Sequence, residues 1–295
     1  MSNKYTQLNI MLLPGVILLL IFSYGPMLGL VMAFQKFHPV KGFLYSPFIG
    51  FDNFKYVFAM PGTMDVIWNT VFIAFMKLSL NIIFPVTFAL LMNEVNNMKL
   101  KKIIQTSIYL PYFLSWVILA GIMKDLLSPS TGIVNAFIQF LGFEPIYFLG
   151  KPEIFPSVII VSHIWKEFGY GTIIYLAALT SIDLSLYEAA IVDGANRWKQ
   201  TLHVTLPGIA QIVVLMSVLS MGNVLNAGFD QIFNLYSPIV YKTGDVLETL
   251  VYRIGLIDSQ FSVATAMGFF KSCVSFVFIT TSYWIAEKFF SYRVF

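Results

Sequence analysis

Charged residues are scarce in this sequence. Asp, Glu, Lys and Arg make up 11% of the 295 residues, whereas hydrophobic residues make up 58%, and the mean hydropathy is +0.77. A soluble globular domain carries about 25% charged residues. We therefore expect lipid to surround most of the chain.

Cysteine and histidine are scarce as well. The only cysteine, Cys273, lies within an apolar run, which excludes an intrachain disulfide and a cysteine-based metal site. The three histidines, His38, His163 and His203, are far apart and lack the spacing of metal ligands. The sequence predicts no metal site.

Three functional classes lack their signatures. The net charge of +3 is spread along the chain, without the basic clusters that bind nucleic acid. The phosphate-binding loop Gly-x-x-x-x-Gly-Lys-Ser/Thr is absent, because the stretch 268–272 is too short and lies in an apolar run. No grouping of Ser, His, Asp and Glu indicates a membrane enzyme. We expect no nucleic-acid partner, no cofactor and no catalytic residues in this chain.

Long apolar runs are the main feature that is present. Each is long enough to cross about 30 Å of hydrocarbon, and the first exceeds the apolar core of a signal peptide. The sequence predicts an all-α integral membrane protein with six transmembrane helices in a single domain, 1–295. The predicted spans are 10–34, 66–92, 106–127, 156–180, 207–229 and 262–286.

The distribution of Lys and Arg predicts the orientation in the membrane. They are denser in the two termini and in segments 93–105 and 181–206 than in the three other loops. Cytoplasmic segments carry the excess of positive residues. We therefore expect both termini in the cytoplasm and, between the long helices on the other side, loops whose aromatic residues suit the membrane interface.

The polar segment 181–206 has a readable local pattern. Asp183 or Ser185 can cap a short helix, with Glu188 in its first turn, where the helix dipole favours a carboxylate. Gly194 permits a sharp turn, and residues 195–204 can form a second short helix. Pro207 suits the first turn of the next span. The pattern predicts a cytoplasmic elbow of two helices joined by a turn.

The same segment resembles the EAA motif of the permeases of ATP-binding-cassette (ABC) importers. The matching residues are Glu188, Ala189, Ala190, Asp193, Gly194, Ala195, Val204, Leu206 and Pro207. The sequence departs from the motif at Thr201, where the family commonly has Phe, and at Val204, where Ile is usual. The resemblance implies the type I importer fold, in which this elbow fits a groove of the ATPase. Glu188 would then contact a basic group there, and the alanines would allow close approach.

Stretches 24–58, 131–142, 165–179 and 261–276 resemble the carbohydrate-uptake branch of the family, most closely permeases for complex polysaccharides and uronate oligosaccharides. This resemblance implies a second, homologous permease subunit, two ATPase subunits that bind ATP and Mg²⁺, an extracytoplasmic solute-binding protein and an oligosaccharide substrate. It places the chain in the bacterial cytoplasmic membrane, where it would work by alternating access.

Polar and aromatic residues inside the predicted spans are candidates for the substrate pathway, because ionisable groups there are expensive and usually functional. Sugars are bound by stacking on rings and by hydrogen bonds. The candidates are Lys77, Tyr112, Ser115, Trp116, His163, Lys166, Glu167, Tyr170, Asn223, Asn226, Asp230 and Lys271. In span four, His163, either Lys166 or Glu167, and Tyr170 recur on one helix face, as do Asn223, Asn226 and Asp230 in span five. The alternative is that these groups bond neighbouring helices or the second permease.

The predicted spans contain three lysines and one glutamate well inside them, so the net charge there is positive. This charge suggests an acidic substrate such as an oligouronate. The alternative is that Lys166 pairs with Glu167 or the partner chain, and that Lys77 and Lys271 snorkel or lose their charge. Two other functions stay open. One is an ion-coupled secondary transporter, although no internal repeat is visible and only Glu167 could couple ions; the other is an ABC permease for a non-sugar solute.

Overall fold

The computed structural model describes residues 2–222 and 225–290. In these ranges helices are joined by turns and loops. The main helices are α1 (Ser2–Leu19), α2 (Asp52–Ala59), α3 (Thr63–Asn93), α4 (Met98–Tyr109), α5 (Trp116–Leu126), α6 (Ile133–Phe140), α7 (Phe155–Thr180), α8 (Leu184–Val192), α9 (Arg197–Gln200), α10 (Leu206–Met221), α11 (Phe229–Leu235), α12 (Leu247–Tyr252) and α13 (Phe261–Phe290). Shorter helical turns extend α1 to Phe34 and join α9 to α10. Within the described ranges the only β-pairing is an isolated bridge between Gln35 and Phe48.

Four helical stretches are long and apolar enough to cross a membrane: Leu8–Phe34, Thr63–Asn93, Arg197–Met221 and Phe261–Trp284. Two further helix pairs pass the same test only together. The pair Met98–Phe113 and Trp116–Leu126 is bent by 106°, and the pair Phe155–Thr180 and Leu184–Val192 is bent by 70°. The described residues thus hold four candidate spans, or up to six when each bent pair counts as one.

The predicted third span, 106–127, is not one helix. Its helix begins at Met98, inside the segment predicted as a linker, and gives way to a 3-10 turn at Leu110–Phe113. Pro111 lacks the N–H that would continue the helical bonds, and the chain becomes extended at Leu114 and Ser115, with ψ angles of 138° and 152°. Ser115 then starts α5 afresh by accepting a hydrogen bond from the backbone N–H of Ile118 at 3.3 Å.

The predicted fifth span, 207–229, also ends early. Helix α10 stops at Met221 and α11 begins at Phe229, preceded by Gly228 in the left-handed conformation with φ of 96°. Asn226 and Asp230 therefore do not share a face of one helix, and this part of the sequence-based interpretation is wrong. Asn223 lies outside the described residues. The segments predicted as long loops also contain helices, namely α2, α6, α11 and α12.

The chain divides into two compact units, Met1–Met64 with Leu250–Ser272, and Asp65–Thr249 with Cys273–Phe295. The first unit has an aromatic cluster in which the ring of Phe34 lies 5.4 to 5.7 Å from those of Phe51, Phe54 and Phe269.

The second unit has an apolar core that joins α3, α5, α7 and α11. Its buried members include Ile73, Ala120, Phe155, Ile159 and Ile232. This core fixes the relative positions of the helices that carry the candidate site.

Candidate functional site

The first helix of the elbow, α8, is capped by Asp183. Its carboxylate accepts a hydrogen bond from the backbone N–H of Ser185 at 3.0 Å. The bonds from the Ser185 backbone and hydroxyl lower the pKa of Asp183 below its ordinary value. The carboxylate therefore stays ionised at neutral pH. Of the two predicted caps, Asp183 is the one the structure uses. The helix begins at Leu184 and has no acidic residue in its first turn, so the prediction that Glu188 lies in that turn is wrong.

Helix α8 ends in a hydrogen-bonded turn around Gly194. The N–H of Ala195 donates to the carbonyl of Ala190 at 2.8 Å, and the N–H of Gly194 donates to that of Ile191 at 3.0 Å. This pair of bonds is the Schellman motif, and it places its glycine in the left-handed region. Gly194 has φ of 75°, in agreement with the sharp turn predicted there.

The second helix of the elbow is not separate from the next span. Asn196 caps α9 by accepting a bond from the Lys199 N–H at 2.9 Å. A π-helical turn, Thr201–Thr205, then leads directly into α10. A proline has no N–H and crowds the preceding turn of a helix, and the wider π-helical turn accommodates Pro207. The elbow's second helix and the candidate span are thus one rod, Arg197–Met221.

The elbow exposes its motif residues and an apolar surface. Glu188, Ala189, Asp193, Gly194 and Pro207 are exposed, and Ala190, Ala195 and Leu206 are half-buried. Large apolar side chains beside them are also exposed: Leu184 (74%), Ile191 (62%), Val192 (86%) and Trp198 (70%). A monomeric soluble surface rarely carries such a patch. The sequence reasoning identified the polar motif but missed this apolar surface.

Contacts at the base of the elbow were not predicted. The guanidinium of Arg197 pairs with the carboxylate of Glu94, at the end of α3, at 2.9 Å. The hydroxyl groups of Tyr187 and Thr205 lie 3.0 Å apart and join the two arms of the elbow. A cleft of about 560 Å³ lies between the elbow and the end of α3. Neither pair is visible in the sequence, because the partners are 103 and 18 residues apart.

Four of the candidate pathway residues meet where α7 crosses the bend between α4 and α5. The rings of Tyr112 and Tyr170 stack with centroids 4.3 Å apart and planes inclined by 8°. The Lys166 nitrogen lies 5.0 Å from the centre of the Tyr112 ring and donates to the Tyr112 carbonyl at 2.9 Å. It also pairs with Glu167 at 3.3 Å. Lys166 therefore pairs with Glu167, as in the alternative to a role in binding an acidic substrate.

Trp116 and His163 extend this cluster. Their rings are parallel within 8°, with centroids 6.4 Å apart, and the Lys166 nitrogen lies 5.6 Å from the Trp116 ring. Ser115 is occupied as the cap of α5. We call the residues Tyr112, Trp116, His163, Lys166, Glu167 and Tyr170 the aromatic–lysine cluster.

Lys77 belongs to a separate buried network. Its nitrogen lies 2.5 Å from both the Ala227 carbonyl and the Gln231 side-chain oxygen. The amide nitrogen of Gln231 donates to the carbonyl of Ile159 at 2.7 Å and to the hydroxyl of Ser162 at 2.8 Å. The network therefore ties α3 to α7 and α11. The sequence reasoning missed Gln231, which is fully buried.

The remaining candidates lie elsewhere. Asn226 and Asp230 are exposed on either side of the left-handed Gly228, whose N–H donates to the Glu248 carboxylate at 3.2 Å. Lys271 is half-buried on α13, in the first of the two units. In the described part of the chain, no group of three or more His, Cys, Asp or Glu residues could hold a metal ion.

Comparisons with known proteins agree with this architecture. The chain is 40% identical over 288 residues to the polygalacturonan/rhamnogalacturonan transport system permease protein YteP of Bacillus subtilis (strain 168), which covers 98% of this chain and 89% of the relative. It is 39% identical over 282 residues to protein LplB of the same organism, with 96% and 89% covered.

Solved structures show the same likeness. A chain of a bacterial ABC transporter involved in the import of the acidic polysaccharide alginate is 40% identical, with a TM-score of 0.91 and 97% of both chains covered. A chain of an amino acid ABC transporter matches with a TM-score of 0.50 at 12% identity, which concerns the fold alone. The predicted fold class and family are confirmed. The model of the family described as "binding-protein-dependent transport system inner membrane component" matches residues 85–290, more than half of the chain, and the chain belongs to this family.

Proposed function

We propose that this chain is a permease subunit of an ATP-driven ABC importer that moves acidic oligosaccharides from an extracytoplasmic binding protein into the cytoplasm. The observation that carries the proposal is similarity over nearly the whole chain to two transport proteins. One relative is named for the transport of polygalacturonan and rhamnogalacturonan, and one solved structure is that of a transporter involved in the import of alginate. All three polymers contain uronic acids.

The proposed assembly contains a second permease, two ATPases and the binding protein. A related solved structure is that of an alginate transporter in complex with a periplasmic protein that carries an alginate oligosaccharide. The chain would lie in the bacterial cytoplasmic membrane with both termini in the cytoplasm. ATP and Mg²⁺ would be bound by the ATPases, because this sequence has no phosphate-binding loop.

The elbow is the proposed contact with the ATPase. Its exposed apolar side chains, Leu184, Ile191, Val192 and Trp198, would supply buried area, and the exposed carboxylate of Glu188 would pair with a basic group. Because the elbow continues into α10 without a helix break, a displacement of the elbow would move that helix. The free energy that the elbow could pass to the permease would equal the difference between its contacts with the ATPase in the two nucleotide states.

The aromatic–lysine cluster is the proposed part of the substrate pathway. Tyr170 is 46% exposed, so its ring would offer area for stacking and its hydroxyl a hydrogen-bond partner for a sugar. The buried lysines do not themselves support selection of an acidic sugar. Lys166 already pairs with Glu167, and Lys77 is bonded to Gln231. The acidic substrate is supported by the similarity to the alginate and polygalacturonan systems.

Uptake by the reconstituted importer tests the substrate. Vesicles holding this chain and its partner subunits would be given the binding protein with either oligogalacturonate or a neutral oligosaccharide of equal length. We expect the acidic oligosaccharide to be taken up in preference. Uptake of the neutral sugar at an equal or higher rate would refute the acidic substrate. Failure of both sugars under conditions that support ATP hydrolysis would refute oligosaccharide transport.

The role of the elbow has a separate test. Glu188→Lys is expected to abolish the ATPase stimulation caused by loaded binding protein while membrane insertion stays intact. Lys199→Glu is the matched control, because it also reverses the charge of an exposed residue on the same elbow, lies outside the motif and alters a side chain that makes no described contact; it is expected to keep the stimulation. Retained stimulation in the Glu188→Lys variant would remove Glu188 from its proposed role.

A further inference from the structure

The loop that follows the first candidate span exposes large apolar side chains beside its charged ones. This loop, residues 35–49, buries Gln35 and Ser46, which are 8% and 7% exposed. It exposes Val40 (100%), Leu44 (91%), Tyr45 (79%) and Phe48 (71%). A loop in water normally places polar groups outside.

The loop is held in this shape by hydrogen bonds. The amide of Gln35 donates to the Phe43 carbonyl at 2.9 Å. The Ser46 hydroxyl accepts from the His38 N–H at 3.0 Å and donates to the Gly42 carbonyl at 2.6 Å. The apolar side chains are therefore presented outward by a bonded framework, and they cannot turn inward without breaking it.

Both ends of the loop lie at the end of the first span. Helical structure ends at Phe34, and the N–H of Ile49 donates to the Phe34 carbonyl at 2.9 Å. The amide of Asn53 bonds the Ala33 and Gln35 carbonyls at 2.8 and 3.0 Å. The N–H of Lys36 also donates to the Pro47 carbonyl at 2.9 Å, so the two halves of the loop are bonded to each other beside that helix end. The loop thus lies at the level where a spanning helix leaves the hydrocarbon.

The composition of the exposed surface fits lipid at this level. Tyr45 has an apolar ring with a polar hydroxyl, and Lys41 has an apolar stem with a charged head, which are the side chains that anchor at membrane interfaces. The preceding helix, Leu8–Phe34, is the least buried of the four single-helix candidate spans. Only 6% of its most apolar 18-residue segment is buried. The apolar surface of the loop continues that of the helix.

We propose that loop 35–49 is an interfacial anchor, with Val40, Leu44, Tyr45 and Phe48 inserted among the lipid headgroups and upper acyl chains. The occupant of this surface is a lipid bilayer. The anchor fixes the depth of the first span and of the adjoining helix α2, to which Asn53 connects it. This inference depends on the chain spanning a membrane and does not depend on the identity of the transported sugar.

Spin-label accessibility in the assembled transporter tests the anchor. Cys273 is exposed and is the only cysteine, so Cys273→Ala gives a background for single labels. A label would be placed at Leu44→Cys, with Val40→Cys as a second site, in transporter held in lipid nanodiscs without binding protein. The control is Lys151→Cys, an exposed lysine in another loop. Accessibility to lipid-soluble oxygen and to a water-soluble nickel chelate is then compared.

We expect the ratio of oxygen to nickel accessibility to be at least about threefold higher at positions 40 and 44 than at 151, as for groups below the headgroups. A ratio equal to that at position 151 would show that the loop faces water and would overturn the proposal. Low accessibility to both reagents at positions 40 and 44 would also overturn it, because the surface would then be covered by protein.

Discussion

At the scale of single residues, Gly169 decides how closely two helices pack. A methyl group added at Gly169 on α7 would lie 2.0 Å from the Ile108 carbonyl oxygen on α4. No side chain fits there, so Gly169→Ala forces the helices apart. Overpacking of this kind typically costs about 1 to 3 kcal/mol. We expect a lower thermal unfolding midpoint for the purified chain, followed by tryptophan fluorescence in detergent.

Gly121→Ala is the matched control. A methyl group at Gly121, within α5, meets nothing within 4 Å, and alanine is favoured over glycine in a helix by roughly 0.5 to 1 kcal/mol. The same change is therefore expected to leave the midpoint unchanged or to raise it. If Gly169→Ala behaved like Gly121→Ala, the close approach of α4 and α7 would be refuted.

Gln231 is the second residue whose substitution is expected to change the stability of the chain. Gln231→Leu removes the side-chain oxygen that accepts from Lys77 and the amide that donates to Ile159 and Ser162. The Lys77 nitrogen then keeps only the Ala227 carbonyl as a described partner, and a lost hydrogen bond to a charged group costs about 1.5 to 3 kcal/mol. We expect a large fall in the unfolding midpoint.

The control for Gln231 is Asn234→Ala on the same helix. The Asn234 amide makes one exposed bond to the Asp230 carbonyl, and substitutions at such positions usually change stability by less than about 0.5 kcal/mol. Equal midpoints for the Gln231 and Asn234 variants would contradict the buried network.

At the scale of elements, the ion pair between Arg197 and Glu94 links the elbow to the end of α3. Both side chains are largely exposed, 80% and 53%, so the pair adds little to stability, less than about 1 kcal/mol. Its expected effect is on orientation. Arg197→Glu places two carboxylates together, and we expect sugar-stimulated ATP hydrolysis by the assembled importer to fall roughly fivefold, which corresponds to about 1 kcal/mol.

The charge-swapped variant, Glu94→Arg with Arg197→Glu, is expected to recover most of the stimulation. Lys199→Glu is the control, since it makes the same charge change on the same short helix and the Lys199 side chain makes no described contact. A swap that fails to recover, or a Lys199 variant with an equal loss, would refute the specific pairing.

The elements also show where sequence reasoning fails. Apolar runs identify the candidate membrane-crossing parts of the chain, because a helix needs about 20 mostly apolar residues to cross the hydrocarbon core. They do not reveal a bend of 106° after α4 or the end of α10 at Met221, because both sides of each break are apolar. Pro111 and Gly228 were the available signals. Proline and glycine occur often in membrane helices without ending them, so they did not identify the breaks.

At the scale of the whole molecule, the chain is a permease subunit, and the proposed ATPase partners would supply its energy. We expect the purified chain alone to hydrolyse no ATP above the background of the detergent solution, because it has no phosphate-binding loop. Hydrolysis should appear only when the ATPase subunits are added, as measured by phosphate release. Release by the chain alone that persists after removal of contaminating ATPases would contradict this expectation.

The sequence by itself determined that this protein is apolar enough to lie in lipid, that it is helical, and that two short helices joined by a turn form its elbow. These properties depend on local quantities: the hydrophobicity of each segment, the capping residue Asp183 and a glycine at position 194. The EAA-like motif and the similar stretches elsewhere indicated the family, and the comparisons confirm it. The roles proposed for the motif residues stay predictions.

Only the tertiary structure decided which polar residues meet. It stacked Tyr112 on Tyr170, paired Lys166 with Glu167, and joined Lys77 to Gln231, 154 residues away. The physical reason is that the free energy of a buried polar group depends on partners supplied by other helices. Sequence spacing describes a single helix face, so it proposed the cluster on α7 but could not assign its partners. The structure made Lys77 and Lys166 members of internal networks.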